Sequence, residues 1–131
     1  MKKIFLALAL VLYMTSLSFA AQDKVTLRWE QDMTVPVVGW KVYRAETPWP
    51  AVLPANTIPY QTLVYNGTPA PEYESIATIP VQAGTVKVFY WVLTSYNAIG
   101  ESARSNETST THDFRAPIVP VTLRATVERV P

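Results

Sequence analysis

The side chains that could carry acid–base or metal chemistry are few, and their spacing favours neither use. His112 is the only histidine, and its neighbour Asp113 completes no catalytic triad because no serine lies in the sequence context of a nucleophile. The position of His112 beside a predicted strand end favours a solvated linker histidine. Glu72 and Glu74 would share one face of a strand and could hold a cation, but that segment offers no further ligands. We therefore predict no catalytic residue, no metal site, no cofactor and no enzyme activity.

Aromatic side chains are better candidates for a function in binding. Trp49 lies in the proline-rich residues 47–71, between Pro48 and Pro50, which stiffen its loop. Stiff, exposed aromatic rings stack on sugars or anchor protein contacts at low entropic cost. Two alternatives remain open: Trp49 folds under its loop as a lid over the core, and the tyrosines only pair across strands. The candidate binding surface consists of Trp49, Tyr60, Tyr43 and Tyr96.

Strands must position these side chains, because helical periodicity is missing after residue 20. Short alternating or β-rich stretches are separated by Pro, Gly and Asn, which favours an antiparallel sandwich. The last stretch is polar and rich in threonine, which suits the edge of a sheet. The third and fourth stretches meet at Asn66-Gly67, a dipeptide that favours tight turns. The predicted strands are residues 24–30, 39–45, 60–65, 73–79, 86–96 and 105–111.

The first twenty residues have the layout of a secretory signal peptide. Lys2 and Lys3 precede an apolar run of 11 residues, 4–14, and small residues lead up to Ala20. A membrane-spanning helix needs about 20 apolar residues. We therefore predict export, cleavage near Ala20 and no membrane span in the mature chain. The destination could be the periplasm, the cell surface or the medium.

Composition excludes several classes of function. Removal of residues 1–20 leaves 111 residues with nine basic and ten acidic side chains, a net charge of −1. That length suits one domain, and the near-neutral charge offers no general attraction for nucleic acid or anionic lipid. The chain contains no cysteine, which excludes disulfides, thiol catalysis and cysteine-based zinc sites.

Three segments, in this order along the chain, resemble strands of the fibronectin type III family. Residues 25–29 (VTLRW) are similar to its strand B, and residues 39–44 (GWKVYR) to its strand C. Residues 89–102 (FYWVLTSYNAIGES), followed by residues 105–107, resemble strand F, the F–G turn and strand G. The resemblance covers roughly residues 24–111 and implies an all-β, immunoglobulin-like sandwich of seven antiparallel strands in two sheets. It also implies a core that contains Trp29, Trp40, Val42, Trp91 and Leu93.

The family's first strand, strand A, is missing from the front of the predicted domain. Only residues 21–23 lie between the expected cleavage site and strand B. Near the other end, residues 117–127 resemble a strand A, with its Pro-x-x-Pro-x-x-Leu opening. The candidate strand-exchange residues of this C-terminal tail are Pro117, Pro120, Leu123 and Val127.

Chain direction constrains where this tail can pair. Strand G ends at the pole of the sandwich where strand A would also end, so a tail pairing in cis must first travel back about 20–25 Å. Residues 112–116 span at most about 17 Å. One hypothesis is therefore that the tail supplies strand A to the next molecule. The alternatives are a flexible terminus or a tail that pairs in cis in another direction.

The predicted organisation is a signal peptide at residues 1–20, a fibronectin type III-like domain at 21–112 and a tail at 113–131. The resemblance implies an exported, non-catalytic module for binding or scaffolding, with a protein partner or self-association. One alternative is a subunit of a filament or surface layer assembled by exchange of the C-terminal strand. Another is a carbohydrate-binding accessory module.

Overall fold

The computed structural model describes residues 21–131, so the predicted signal peptide lies outside the described residues. These residues form six β-strands and no helix. The strands make two antiparallel sheets, one in the order β1-β4 and the other in the order β3-β2-β5-β6. The strands are β1 (Gln22–Trp29), β2 (Gly39–Ala45), β3 (Gln61–Val64), β4 (Tyr73–Pro80), β5 (Val86–Tyr96) and β6 (Thr108–Asp113).

The alternation of side chains explains how the two sheets pack as a sandwich. In β4, every second residue faces inward, so Ser75, Ala77 and Ile79 are buried while the residues between them are exposed. β1 alternates in register with β4, pairing Val25 with Ala77. The predicted all-β sandwich of two antiparallel sheets is therefore confirmed.

The core lies between the two sheets and is built mainly from aliphatic side chains around one indole. Partly buried side chains surround it, among them Leu27, Leu93 and Phe89. Trp40 is buried beside this core, whereas Trp29 is only half-buried. The buried core consists of Val25, Val42, Ala77, Ile79 and Trp91.

Strand boundaries agree best with the sequence where the alternation is longest. β2 and β5 begin and end at the predicted residues. β6 begins and ends later than predicted and is an edge strand of its sheet, as its polar composition indicates. The stretches on either side of Asn66-Gly67 do not pair with each other, because β3 joins β2 and β4 joins β1. Gly67 has a φ of 83°, so this dipeptide turns the chain from one sheet to the other.

The C-terminal tail has no secondary structure after Asp113. Phe114 still belongs to the sandwich, because its N–H donates to Thr85 O, its carbonyl accepts from Gly84 N, and its ring packs against the core. From Arg115 onward every residue of the tail is exposed. The folded unit thus ends two residues later than the predicted boundary at residue 112.

Candidate functional site

Neither long edge of the smaller sheet has a neighbouring strand among the described residues, and the edge of β1 is the one that borders a groove. β1 pairs with β4 along all eight of its residues, but no strand lies on its other side. Backbone N–H and C=O groups along such an edge are available to bind another extended chain. We call this side of β1 the open edge.

A groove runs along the open edge and reaches the core. It has a volume of about 350 Å³ and lies between β1 on one side and β5 and β6 on the other. Leu27 and Leu93 line it and are only half-buried, although both pack against the core. The groove therefore exposes apolar side chains that one further strand would cover. Its main lining residues are Val25, Leu27, Trp29, Trp91, Leu93, Thr108 and Thr110.

Trp29 lines the groove at the end of β1. Its ring packs edge-on against Trp40, with the ring centroids 5.4 Å apart, and stacks on Tyr73 at 6.4 Å. Its indole nitrogen is buried but has no hydrogen-bond acceptor. A buried donor without an acceptor costs roughly 1–3 kcal/mol. At this end of the groove, the single chain therefore leaves the Trp29 N–H without a hydrogen-bond acceptor.

The prediction that His112 is a solvated linker residue is wrong. β6 continues through His112, whose side chain faces inward and is 4% exposed. The Nδ1 atom lies 2.6 Å from Asp23 Oδ2, and the Nε2 atom lies 2.8 Å from Thr110 Oγ1. Thr110 Oγ1 also accepts a hydrogen bond of 2.9 Å from the Trp91 indole. This hydrogen-bonded chain ties β6 to β1 at the pole where β1 begins.

A hydroxyl, an imidazole and a carboxylate in series also occur in hydrolases, but the geometry here favours a structural role. A nucleophilic hydroxyl must be free to attack a substrate. The Thr110 oxygen instead accepts the Trp91 N–H and lies in the middle of a strand. Sequence reasoning missed this cluster because Asp23 lies 89 positions from His112 and comes close to it only through sheet packing.

The outer face of the larger sheet is covered by the proline-rich loop. Trp49 is half-buried and packs edge-on against Tyr43, with the ring centroids 6.0 Å apart. The Trp49 indole donates to Tyr90 O at 2.9 Å, and its backbone N–H donates to Glu107 Oε1 at 2.6 Å. Tyr43 lies on this outer face but is only 3% exposed, because Trp49 covers it. Trp49 is a lid, but over this outer face and not over the core between the sheets.

A polar cluster around Glu101 lies beneath this loop. The Tyr43 hydroxyl donates to Glu101 Oε1, which also accepts from Thr94 Oγ1 at 2.6 Å. Lys41 Nζ lies 3.5 Å from the other carboxylate oxygen. Burial, followed by the contact with the Glu101 carboxylate, raises the pKa of Tyr43 to about 12. Burial opposes ionisation of Glu101, but its hydrogen bonds from Thr94 and Tyr43 and the charge of Lys41 lower its pKa overall.

The remaining members of the candidate binding surface lie elsewhere. The Tyr60 ring packs edge-on against Trp91, with the ring centroids 5.7 Å apart, and the Arg44 guanidinium lies over it at 4.3 Å. The Tyr96 hydroxyl donates to Leu63 O at 3.3 Å, and its ring lies beneath Lys41. Of the four predicted residues, only Trp49 and Tyr43 are in ring contact with each other.

The predicted strand-exchange residues all lie in the exposed tail. Leu123 is 97% exposed and Val127 is 96% exposed, which leaves both without packing. Pro117 and Pro120 are exposed too. The structure thus places the tail in contact with neither the groove nor the outer face, and it leaves the pairing of the tail a prediction.

Glu72, which directly precedes β4, and Glu74, which lies in β4, both form ion pairs with Arg28. Arg28 Nε lies 3.6 Å from Glu72 and 3.4 Å from Glu74, and all three side chains are exposed. Within residues 21–131, His, Asp and Glu side chains form no group of three that could hold a metal ion. That part of the chain also contains no helix with the length and apolar character to cross a membrane.

No protein-family model, curated protein or solved structure matches this chain. The resemblance to fibronectin type III domains therefore stays a prediction from residues.

Proposed function

We propose that this protein is an exported, non-catalytic module of the fibronectin type III type that binds extended polypeptide strands. Its incomplete sandwich accepts a strand along the open edge of β1. The groove beside this edge is the observation that carries the proposal. Binding of this kind is β-augmentation, in which backbone hydrogen bonds give affinity and side-chain pockets give specificity.

Burial supports this proposal over binding of carbohydrate. The added strand would cover Leu27 and Leu93 and would pair the free backbone groups of β1. Covering apolar surface gains roughly 25 cal/mol per Å². Binding of carbohydrate by Trp49 gains no comparable support, because its indole nitrogen is already bonded to Tyr90 O and its ring covers Tyr43.

The test is selection of peptides without any assumption about the natural partner. Immobilised protein comprising residues 21–131, at a density that keeps copies apart, is screened with a displayed library of random peptides of about ten residues. We expect the selected peptides to alternate apolar and polar residues. Amide hydrogen exchange should then show protection along β1 when a selected peptide is bound.

Matched variants locate the binding site. Leu27 faces the groove, whereas Ile76 lies on the outer face of the neighbouring strand and is 46% exposed. Leu27→Asp should weaken peptide binding by at least about tenfold, and Ile76→Asp should leave it unchanged. Equal losses in the two variants, or exchange protection along β4 but not β1, would contradict the proposal.

A further inference from the structure

We propose that the strand bound by this groove is the C-terminal tail of a second copy of the same chain, with residues 121–127 paired to β1. This inference rests on the proposed function and names its partner. Three properties of the tail support it: its pattern of apolar residues, the position of its prolines and the direction in which it leaves the sandwich.

The tail has the side-chain pattern of a strand with one buried face. Val119, Val121, Leu123, Ala125 and Val127 occupy alternate positions, and Thr122, Arg124 and Thr126 lie between them. Alternation with a period of two places the first set on one side of an extended chain. All five apolar side chains are exposed in the single chain, and Val121 is 88% exposed. A strand of this pattern would place its apolar side into the groove and its polar side in solvent.

In the single chain the backbone of the tail is not extended throughout, and pairing with β1 would make it a regular strand. Thr122 has a φ of 59°, in the left-handed region, which interrupts the extended run in the single chain. A β-branched residue strongly prefers β values of φ, so docking moves Thr122 to a favourable conformation.

The prolines determine where the paired segment can begin. Val81 N donates to Ala21 O, so the inward-facing residues of β1 pair with β4, and its outward-facing residues direct their N–H and C=O groups to the open edge. A docked tail with its apolar side inward therefore directs the N–H groups of its even-numbered residues to β1. Pro120 is one of these and has no N–H, so the paired segment begins at Val121 and both prolines precede it.

The geometry of the sandwich leaves too little chain for the tail to pair antiparallel with the full length of its own β1. His112 contacts Asp23, so β6 ends at the pole where β1 begins. Phe114 is fixed there by its two backbone hydrogen bonds. An antiparallel strand that pairs with all of β1 must begin opposite Trp29, about 20 Å away along β1. An extended chain from Phe114 to Val121 reaches at most about 25 Å, and a reversal of direction within it uses two or more residues, so Val121 does not reach this position.

A second molecule meets no such limit. Its tail can enter the groove at the Trp29 end and run antiparallel to β1. Each copy then uses a different surface as donor and as acceptor, which is a heterologous contact.

Disulfide trapping tests this inference, and the absence of cysteine from the natural sequence makes every introduced thiol unique. Thr26 is exposed on the outer face of β1 and serves as the acceptor position, as Thr26→Cys. Donor variants carry Thr122→Cys, Arg124→Cys or Thr126→Cys, so that one of them falls opposite Thr26 in each register that pairs Thr26 with the segment 121–127. We expect mixing and mild oxidation to give a covalent dimer of acceptor and donor with at least one of these variants.

The control acceptor is Ile76→Cys. Ile76 lies directly opposite Thr26 in the β1–β4 ladder, and the two side chains point to the same face of the sheet. Ile76 is therefore matched to Thr26, except that it lies one strand farther from the open edge. Trapping at Thr26→Cys should be at least about tenfold faster than at Ile76→Cys. Equal or faster trapping at Ile76→Cys would overturn the inference.

Two further outcomes would also overturn it. A double variant with Thr26→Cys and a donor cysteine in one chain that closes only an intramolecular disulfide would mean that the tail pairs in cis. Absence of any covalent dimer, while selected peptides still protect β1 from exchange, would show that the groove binds another polypeptide. The second result leaves the proposed function intact and separates the two claims.

Discussion

The two sides of the sandwich are closed by different means. On the side of β3 and β4, the sheets are linked by the chain itself: Ser75 Oγ donates to Gln61 Oε1 at 2.8 Å, and the Tyr73 ring lies 4.8 Å from that of Trp40. On the side of β1 and β6, the link we find is the chain of hydrogen bonds through His112, and the groove lies beyond it. We call these the closed side and the open side.

This difference shows that the open side does not result from poor packing throughout the protein. The same 111 described residues close one side with aromatic rings, yet leave the 17 residues from Arg115 to Pro131 without packing. The tail contains apolar residues that could close the open side. However, the tail leaves the sandwich at the pole where β1 begins, whereas antiparallel pairing with the whole of β1 must start at the opposite pole. The four predictions below concern the two sides, in order of decreasing expected effect.

The first prediction concerns the tail of a second molecule, which would cover the open side. Val121→Asp combined with Leu123→Asp places two charges on the apolar side of the tail, where docking would bury them. Self-association should weaken by at least about 100-fold, because a buried unpaired carboxylate is strongly unfavourable. Light scattering of the mature chain over a range of concentrations measures this. Thr122→Asp combined with Thr126→Asp carries the same charge on the other side of the tail and should still associate; equal loss in this control would contradict the prediction.

The second prediction compares truncations on the two sides. Tyr73→Ala removes a ring that packs against Trp40 and Trp29, and it should lower the free energy of unfolding by about 3 kcal/mol at any protein concentration. Leu27→Ala should cost only about 1 kcal/mol in dilute protein, where the groove is empty, and more as concentration rises. Chemical denaturation at two concentrations checks this. A concentration-independent cost for Leu27→Ala would mean that nothing covers the open side.

The third prediction concerns the link through His112. His112→Ala leaves Asp23 and Thr110 without their partner and should lower the free energy of unfolding by about 2 kcal/mol. Hydrogen exchange should increase first at the beginning of β1 and the end of β6. His112→Gln, which keeps one donor and one acceptor, should retain part of the stability. Uniform loosening of both sides of the sandwich would show that His112 does not act locally.

The fourth prediction uses the outer face of the larger sheet, which belongs to neither side. Tyr43 has its pKa raised from 10.0 to about 12, so its neutral form stabilises the fold below pH 10. That stability is lost as the pH rises from about 10 through 12, because the unfolded chain releases the proton first. Tyr43→Phe should remove this component from the pH dependence of the melting temperature. An unchanged alkaline profile in the variant would contradict the prediction, and association through the tail should be equal in both proteins.

Local alternation explains which parts of this fold could be predicted from the sequence. β2 and β5 have long alternating patterns, and both strands were predicted with their observed ends. The sequence also predicts that no strand precedes β1 in the folded domain, and β1 has only one neighbouring strand among the described residues. In contrast, Asn66-Gly67 indicates a turn but not which strands pair on either side of it. That choice depends on which faces must be buried, which is a property of the whole sandwich.

Contacts between distant residues account for what the sequence did not show. The environment of His112 depends on Asp23, and the burial of Tyr43 depends on where the loop that carries Trp49 comes to lie. Neither contact has a signature in sequence spacing. The tail is a different case, since its alternation is visible in the sequence and its lack of packing is visible only in the structure.

The separation of groove and tail within one chain has a consequence for any polymer made from this protein. However many copies strand exchange links in an open chain, one terminal subunit keeps an empty groove and the opposite one keeps an unused tail. Such a polymer is polar, with two chemically unequal ends that can elongate at different rates. A subunit with a disabled tail would act as a chain terminator at one end only, which offers a means of controlling length.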